Sequence, residues 1–202
     1  MSYVLGFFAA DGNLIETKRG THFISFDSAD KGIIEYIKKA MEAEHKVSKR
    51  KSNEGVWYRL QIGSAEMFED ILKIGLKPNK SKRMRIPKIP DFVFGNFVRG
   101  YFDGDGNVWY GLMNKKDYKP RRVLQAMFTS ASQGFLIDLH SKLKLYGIVG
   151  GSIRKIKNKE CYRLQLSTSN ALKLYQIMYN RRDTSNLFLK RKKDVFEKYM
   201  RL

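Results

Sequence analysis

The chain has 202 residues, with 39 Lys or Arg against 20 Asp or Glu, a formal charge of +19 at neutral pH. At 43% hydrophobic and 13% aromatic residues, with only four prolines, it has ample apolar material for a core, which excludes a disordered basic tail. A single cysteine, Cys161, excludes a disulfide-stapled scaffold, and no apolar run approaches the roughly 20 residues of a membrane-spanning helix.

In chain order, residues 3–10 read as an apolar helix that runs into Asp11-Gly12-Asn13. Its start, Met1-Ser2-Tyr3, lacks the charged beginning of a signal peptide, so a soluble intracellular protein is expected. Residues 13–26 form a hairpin-like stretch that turns at Lys18-Arg-Gly20. A helix follows, with Ser28 as the expected N-cap and Ile33, Ile34, Tyr36, Ile37 and Met41 on its apolar side. Residues 46–63 form a second hairpin, turning between Lys51 and Gly55. The helix after Ser64 carries Met67, Phe68, Ile71, Leu72 and Ile74 and stops at Gly75. Lys77–Pro90 is basic, holds three of the four prolines and reads as a linker.

The same order then recurs, with a helix near 97–104, strands near 107–128 and 149–166, and helices near 131–146, 169–179 and 187–200. Direct self-comparison supports a duplication. Tyr3-Val-Leu-Gly-Phe-Phe-Ala-Ala-Asp-Gly-Asn13 aligns with Phe97-Val-Arg-Gly-Tyr-Phe-Asp-Gly-Asp-Gly-Asn107, Phe26-Asp-Ser-Ala29 with Phe128-Thr-Ser-Ala131, and Tyr58-Arg-Leu-Gln-Ile62 with Tyr162-Arg-Leu-Gln-Leu166. The offsets are 94, 102 and 104, so they grow in order, with the main insertion around Gly111–Arg122. The expected fold class is α+β: two αββαββα halves, 1–94 and 95–202, with pseudo-two-fold symmetry and one antiparallel sheet each.

Both halves are basic, +5 over 1–94 and +14 over 95–202. A folded domain so charged repels itself until an anion neutralises it, and nucleic acid is the commonest such partner. The strand pattern agrees. Tyr58, Leu60 and Ile62 alternate with Trp57, Arg59 and Gln61, and Tyr162, Leu164 and Leu166 with Arg163 and Gln165. Likewise Leu124, Ala126 and Phe128 alternate with Arg121, Val123 and Gln125, while Arg19 and Thr21 stand at a hairpin tip. Arg can bond guanine bidentately and Gln adenine, so the polar faces suit the major groove.

Acidic residues at matched places in a basic repeat need a reason of their own. Asp11 and Asp105 each end a helix that carries small residues four apart, Gly6 and Ala10 in one, Gly100 and Gly104 in the other. Small residues at that spacing let two helix backbones approach closely, which would bring the two carboxylates together. Paired carboxylates at helix C-terminal ends repel each other and the helix dipoles, a cost that a divalent cation relieves.

Val4-Leu-Gly-Phe-Phe-Ala-Ala-Asp-Gly12 and Val98-Arg-Gly-Tyr-Phe-Asp-Gly-Asp-Gly106 resemble the two signature helices of a monomeric, two-motif LAGLIDADG homing endonuclease. Gly75-Leu-Lys-Pro-Asn-Lys-Ser81, Ile86-Pro-Lys-Ile-Pro90 and Phe188-Leu-Lys-Arg-Lys192 resemble that family's flanking stretches. The resemblance implies a saddle of two sheets on double-stranded DNA and a functional monomer that needs no protein partner and no membrane. It also implies a double-strand break in a long asymmetric target, with short 3′ overhangs and with Mg²⁺ or Mn²⁺ as cofactor. It assigns the metal to Asp11 and Asp105, with backbone carbonyls of Ala10 and Gly104. It places a basic residue near each centre, Lys80 and Lys192, with Lys82 and Lys193 as competitors. The motif's earlier acidic position is Asp103 in the second copy but Ala9 in the first, a departure that touches the helix interface more than the metal. The alternative within the fold is an RNA maturase or a catalytically silent DNA-binding regulator; intact Asp11 and Asp105 argue against simple loss of cleavage. An intein fragment is disfavoured because no Cys or Ser opens a splicing block and no His-Asn closes the chain. His22, His45, His140 and Cys161 lack the spacing of a zinc site.

Overall fold

The computed structural model describes residues 1–53, 55–78, 80–113, 119–179 and 187–202, with the side chain of Lys80 set aside. The first half comprises α1 (Ser2–Asp11), β1 (Gly12–Glu16), β2 (His22–Ser28), α2 (Lys31–Ala40), β3 (Val47–Ser52), β4 (Gly55–Gly63) and α3 (Ala65–Lys73). The second comprises α4 (Phe94–Asp105), β5 (Gly106–Met113), β6 (Arg121–Ser130), α5 (Gln133–Leu145), β7 (Ser152–Lys155), β8 (Tyr162–Leu166), α6 (Thr168–Tyr179) and α7 (Lys190–Met200). Each half thus repeats the expected order. The insertion expected around Gly111–Arg122 falls partly outside the described residues.

Both sheets are antiparallel with one strand order, β1-β2-β4-β3 and β5-β6-β8-β7. Their registers also correspond: Gly12 lies opposite Phe26, and Gly106 opposite Phe128. On the helix-facing side Ile24, Phe26, Leu60 and Ile62 are buried in one sheet, and Leu124, Ala126, Phe128, Leu164 and Leu166 in the other. The repeat extends to ring geometry. Phe8 meets Phe26 edge-on at 5.4 Å and 72°, and Phe102 meets Phe128 at 5.3 Å and 71°.

The halves join through α1 and α4. A Cβ on Gly6 would overlap the carbonyl oxygen of Phe97, and one on Gly100 would overlap that of Tyr3. The four residues form two symmetric pairs 94 apart, so each helix supplies the glycine that admits the other's backbone. Tyr3, Phe7, Phe97, Val98 and Tyr101, each at most 2% exposed, make this contact part of the core.

Helix starts follow local chemistry. Ser64 caps α3, its hydroxyl accepting from the Met67 N–H at 3.1 Å, and Gly75 ends the turn with φ of +101°. The cap of α2 is Asp30 rather than Ser28. The Asp30 carboxylate accepts from the N–H groups of Gly32 at 2.9 Å and Ile33 at 3.4 Å. Ser28 is still in β2, and its hydroxyl accepts from the Asp30 N–H, shaping the turn before the helix.

Residues 84–88 tie the two halves together. Met84 is buried, with its carbonyl accepting from the Ser132 hydroxyl at 2.7 Å. Arg85 makes a bidentate pair with Asp138 on α5, at 2.6 Å for each bond, and this holds the Asp138 carboxyl below the usual range. On the other side the Lys88 N–H donates to Ile74, after α3. Among the described residues no helix is long and apolar enough to cross a membrane.

Candidate active site

The helices α1 and α4 stop at equivalent points. Gly12 and Gly106 turn extended, with φ, ψ of −91°, 156° and −88°, 158°, and their N–H groups bond the carbonyls of Phe8 and Phe102. A Cβ at either glycine would run into the ring of that same phenylalanine. Glycine here leaves room for the Phe8 and Phe102 rings, which pack on Phe26 of β2 and Phe128 of β6. Asp11 and Asp105, immediately before these turns, end the two helices side by side.

The ends interlock. An ideal Cβ on Gly104 would overlap the Cβ of Ala10 and lie 2.9 Å from Oδ2 of Asp11, so the Asp11 carboxylate reaches across to α4. The Tyr101 hydroxyl donates to the Thr129 carbonyl at 2.9 Å and lies 3.4 Å from Oδ2 of Asp105. Burial, then Asp105 and Asp11, raise the pKa of this phenol well above its ordinary value, so both carboxylates act on one hydroxyl. Gly6, Ala10, Gly100 and Gly104, the expected interface residues, all lie along this contact.

Lys192, from the first turn of α7, enters the C-terminal end of α4 and is 6% exposed. Its ammonium donates to the carbonyls of Phe102 and Asp103 at 2.7 Å and of Gly106 at 2.6 Å, with Gly104 farther off at 3.3 Å. An ammonium has three protons, so the three short bonds use them and the Gly104 carbonyl is the least engaged acceptor. Burial pulls the Lys192 pKa down to about 8, against Asp103, Asp11 and Asp105, which raise it. The amine therefore stays charged at neutral pH beside the paired carboxylates. Replacing it, Lys192→Met, takes the ammonium donor away from those carbonyls, and the Phe102 carbonyl keeps the Gly106 N–H. We expect a loss of about 2–3 kcal/mol and a melting temperature lower by roughly 5–10 °C in a thermal scan.

A buried network holds α7 in place. Oδ2 of Asp103 accepts from the Tyr3 hydroxyl at 2.7 Å and from the Leu189 N–H at 2.8 Å, one residue before α7. Arg99 donates to the Met178 carbonyl at 2.9 Å and packs over the Tyr3 ring. The first half has Ala9 and Leu5 at the places of Asp103 and Arg99, so the network exists once. Sequence reading missed Tyr3 in this role; a tyrosine opposite the extra motif aspartate was its only trace.

Of the other basic candidates, Lys193 pairs with Glu197 at 3.3 Å and lies over the Phe188 ring, so it belongs to the α7 surface. Lys82 is exposed at the end of a short turn, Lys80–Lys82. The Lys80 side chain lies outside the described residues.

The donor set fits a hard divalent cation. Two carboxylates and two helix-end carbonyls, those of Ala10 and Gly104, suit magnesium, which takes few carboxylates and completes its shell with water and phosphate oxygens. Among the described residues there is no group of three His, Cys, Asp or Glu side chains that could hold a metal ion.

Of the remaining predicted residues, those in strands lie on the sheet faces opposite the helices. Arg121 and Arg163 are exposed, while Gln61, Gln125 and Gln165 are half-buried; Arg19 and Thr21 are exposed in the β1–β2 turn. Gln61 lies opposite Ser25 and Gln165 opposite Met127, equivalent positions in the two sheets. Arg59 is half-buried in a bidentate pair with Asp27. Trp57 and Trp109 share these outer faces at 38% and 46% exposure, and the Trp109 indole lies over Gly111. The structure adds Arg154, directly opposite Arg163 across β7 and β8. Like charges at opposed positions repel, and an anion laid over the strands relieves them.

The chain matches the family model of the LAGLIDADG-like domain over residues 1–74 and 94–178. It is 25% identical over 178 residues to the replication factor C small subunit of Methanocaldococcus jannaschii, and 36% identical over 101 residues to a probable translation initiation factor IF-2 of Thermococcus kodakarensis. These alignments cover 85% and 48% of the chain but only 9% and 8% of those much longer proteins. Among solved structures, the I-SmaMI LAGLIDADG homing endonuclease bound to cleaved DNA superposes with a TM-score of 0.66 at 16% identity, over 99% of this chain and 87% of that one. The homing endonuclease I-WcaI bound to its DNA recognition sequence gives 0.67 at 16% identity, over 96% and 84%. I-SmaMI with an uncleaved target in the presence of calcium ions has the same fold, at a TM-score of 0.62 and 14% identity. With the matched model spanning both halves and the fold shared end to end, the chain belongs to the LAGLIDADG-like family and carries two copies of the domain in the arrangement of the two-domain LAGLIDADG homing endonucleases.

Proposed function

We propose that the protein is a site-specific DNA endonuclease that makes a metal-dependent double-strand break. The observation that carries this reading is the interlocking of α1 and α4 at their Asp11 and Asp105 ends, with Oδ2 of Asp11 against Gly104, where each helix runs into one of two equivalent sheets with Arg- and Gln-bearing outer faces. The halves act as two domains, 1–94 and 95–202, joined by the basic linker 77–90. Each sheet reads one half-site along the major groove, and the combined span is about 20 base pairs, two helical turns. Because the halves differ in sequence, the target is asymmetric.

Asp11 and Asp105, with the Ala10 and Gly104 carbonyls, would hold Mg²⁺ or Mn²⁺ against the scissile phosphates. The cation supplies Lewis-acid stabilisation of the charge that develops on phosphorus-bound oxygens. Lys192 keeps a fixed positive charge at the end of α4, which offsets the helix dipole and the paired carboxylates. Lys80 is its proposed counterpart in the first half. Arg121, Gln125, Arg163 and Gln165 on one side, and Arg59, Gln61, Arg19 and Thr21 on the other, hold the duplex in register. Each strand loses one phosphodiester bond to water, with the cuts a few nucleotides apart and the ends left as 3′ overhangs. The enzyme acts as a monomer inside the cell on double-stranded DNA.

Selection of cleaved molecules from a randomised duplex library in Mg²⁺ tests the proposal. Enrichment of one long asymmetric sequence supports it. Recovery of a bound but uncut sequence would assign the protein to DNA-binding regulators, and indiscriminate cutting would reject a site-specific enzyme.

A further inference from the structure

The outer faces of the two sheets treat equivalent arginines differently. Arg59 and Arg163 occupy matching places in β4 and β8. Across the strands, Arg163 has Thr129 on one side and Arg154 on the other. Arg59 has Ser48 and Asp27. Nε of Arg59 donates to Oδ1 of Asp27 at 2.6 Å, and Nη2 donates to Oδ2 at 2.9 Å. The pair is neither sealed nor free, with side chains 24% and 29% exposed.

This geometry has a chemical consequence. A guanidinium has two edges that can present parallel N–H groups, one made by Nε and Nη2, the other by Nη1 and Nη2. Asp27 takes the first edge and, by doing so, fixes the plane and direction of the second. A parallel N–H pair fixed in one plane matches the N7 and O6 acceptors of guanine in the major groove. The same pairing cancels the net charge, so Arg59 gains little from a phosphate that any sequence would offer. Arg163, beside a second arginine and no carboxylate among its cross-strand neighbours, suits the phosphate backbone better.

We infer that Asp27 positions Arg59 to read a single guanine in the half-site facing the N-terminal sheet. The inference rests on the DNA-cleaving reading above and names one of its base contacts. Asp27 is a positioning residue here, acting through Arg59.

Binding-site selection from a randomised duplex library in Ca²⁺, with the wild type, Asp27→Ala and Arg59→Lys, provides the test. The wild type should require guanine at one position of one half-site. Asp27→Ala should lower that preference about ten-fold and leave the other positions unchanged. Arg59→Lys keeps the cation but loses the fork, and should lose the same preference; it decides the matter if Asp27→Ala does not fold. If either folded variant retains every base preference of the wild type, the pair is only a structural clamp and the inference fails. A wild-type site with no guanine-dependent position that responds to these variants overturns this inference alone. Selection of no site at all overturns the DNA-binding reading and this inference with it.

Discussion

Asp11→Asn and Asp105→Asn are each expected to abolish double-strand cleavage, by roughly 10³-fold or more, while DNA binding stays within a few-fold of wild type. The magnitude follows from the several kcal/mol that a bound divalent ion contributes to a phosphoryl-transfer barrier, at about 1.4 kcal/mol per ten-fold. Asparagine keeps the size of each side chain, so the close fit of Asp11 against Gly104 survives while the charge proposed to hold the metal is lost. The sheets that hold the duplex are untouched. Conversion of supercoiled to linear plasmid, with a mobility-shift titration beside it, separates the two effects. Wild-type linearisation by the Asp11→Asn, Asp105→Asn double variant would remove the site from these carboxylates.

The second large effect is structural. On an exposed helix, Gly→Ala is worth about 1 kcal/mol of stability through propensity alone. At Gly100 the sign should invert. The added Cβ overlaps the Tyr3 carbonyl oxygen and lies 2.8 Å from the Phe7 backbone nitrogen, and neither can move without shifting α1. Gly100→Ala should therefore cost about 2–3 kcal/mol. Cleavage should fall with it, because parting α1 from α4 moves Asp11 away from Asp105. Gly6→Ala should behave alike, since its Cβ overlaps the Phe97 carbonyl. Denaturant titration measures both, and wild-type stability for either would contradict the close helix contact.

The parts of the fold that were legible in the sequence are those written twice. Two hairpins, a helix after each, and small residues before each Asp-Gly-Asn could be checked against a second copy at a known offset. The α1–α4 contact was legible for a related reason: glycine where propensity favours leucine needs a close neighbour, and the neighbour was the other copy. What escaped was mostly what occurs once. The Tyr3–Asp103–Leu189 network has no counterpart because Ala9 replaces the aspartate, so no internal comparison could expose it. Lys192 could be placed near the site, but its insertion among the carbonyls of α4 depends on the approach of α7, which no periodicity encodes. Arg59 was legible as outward-facing; its pairing with Asp27 depends on the register between β2 and β4. The α2 cap shifted from Ser28 to Asp30 because Ser-Ala-Asp offers two good capping residues, and the strand claims the first.

Strand-resolved cleavage of the selected target tests the central claim most directly. With each strand labelled separately, Mg²⁺ should yield one cut per strand, a few nucleotides apart and leaving 3′ overhangs, and chelation should stop both cuts while the complex remains visible by mobility shift. Cuts that persist in chelator, or an intact target bound tightly in Mg²⁺, would contradict a metal-dependent endonuclease centred on Asp11 and Asp105.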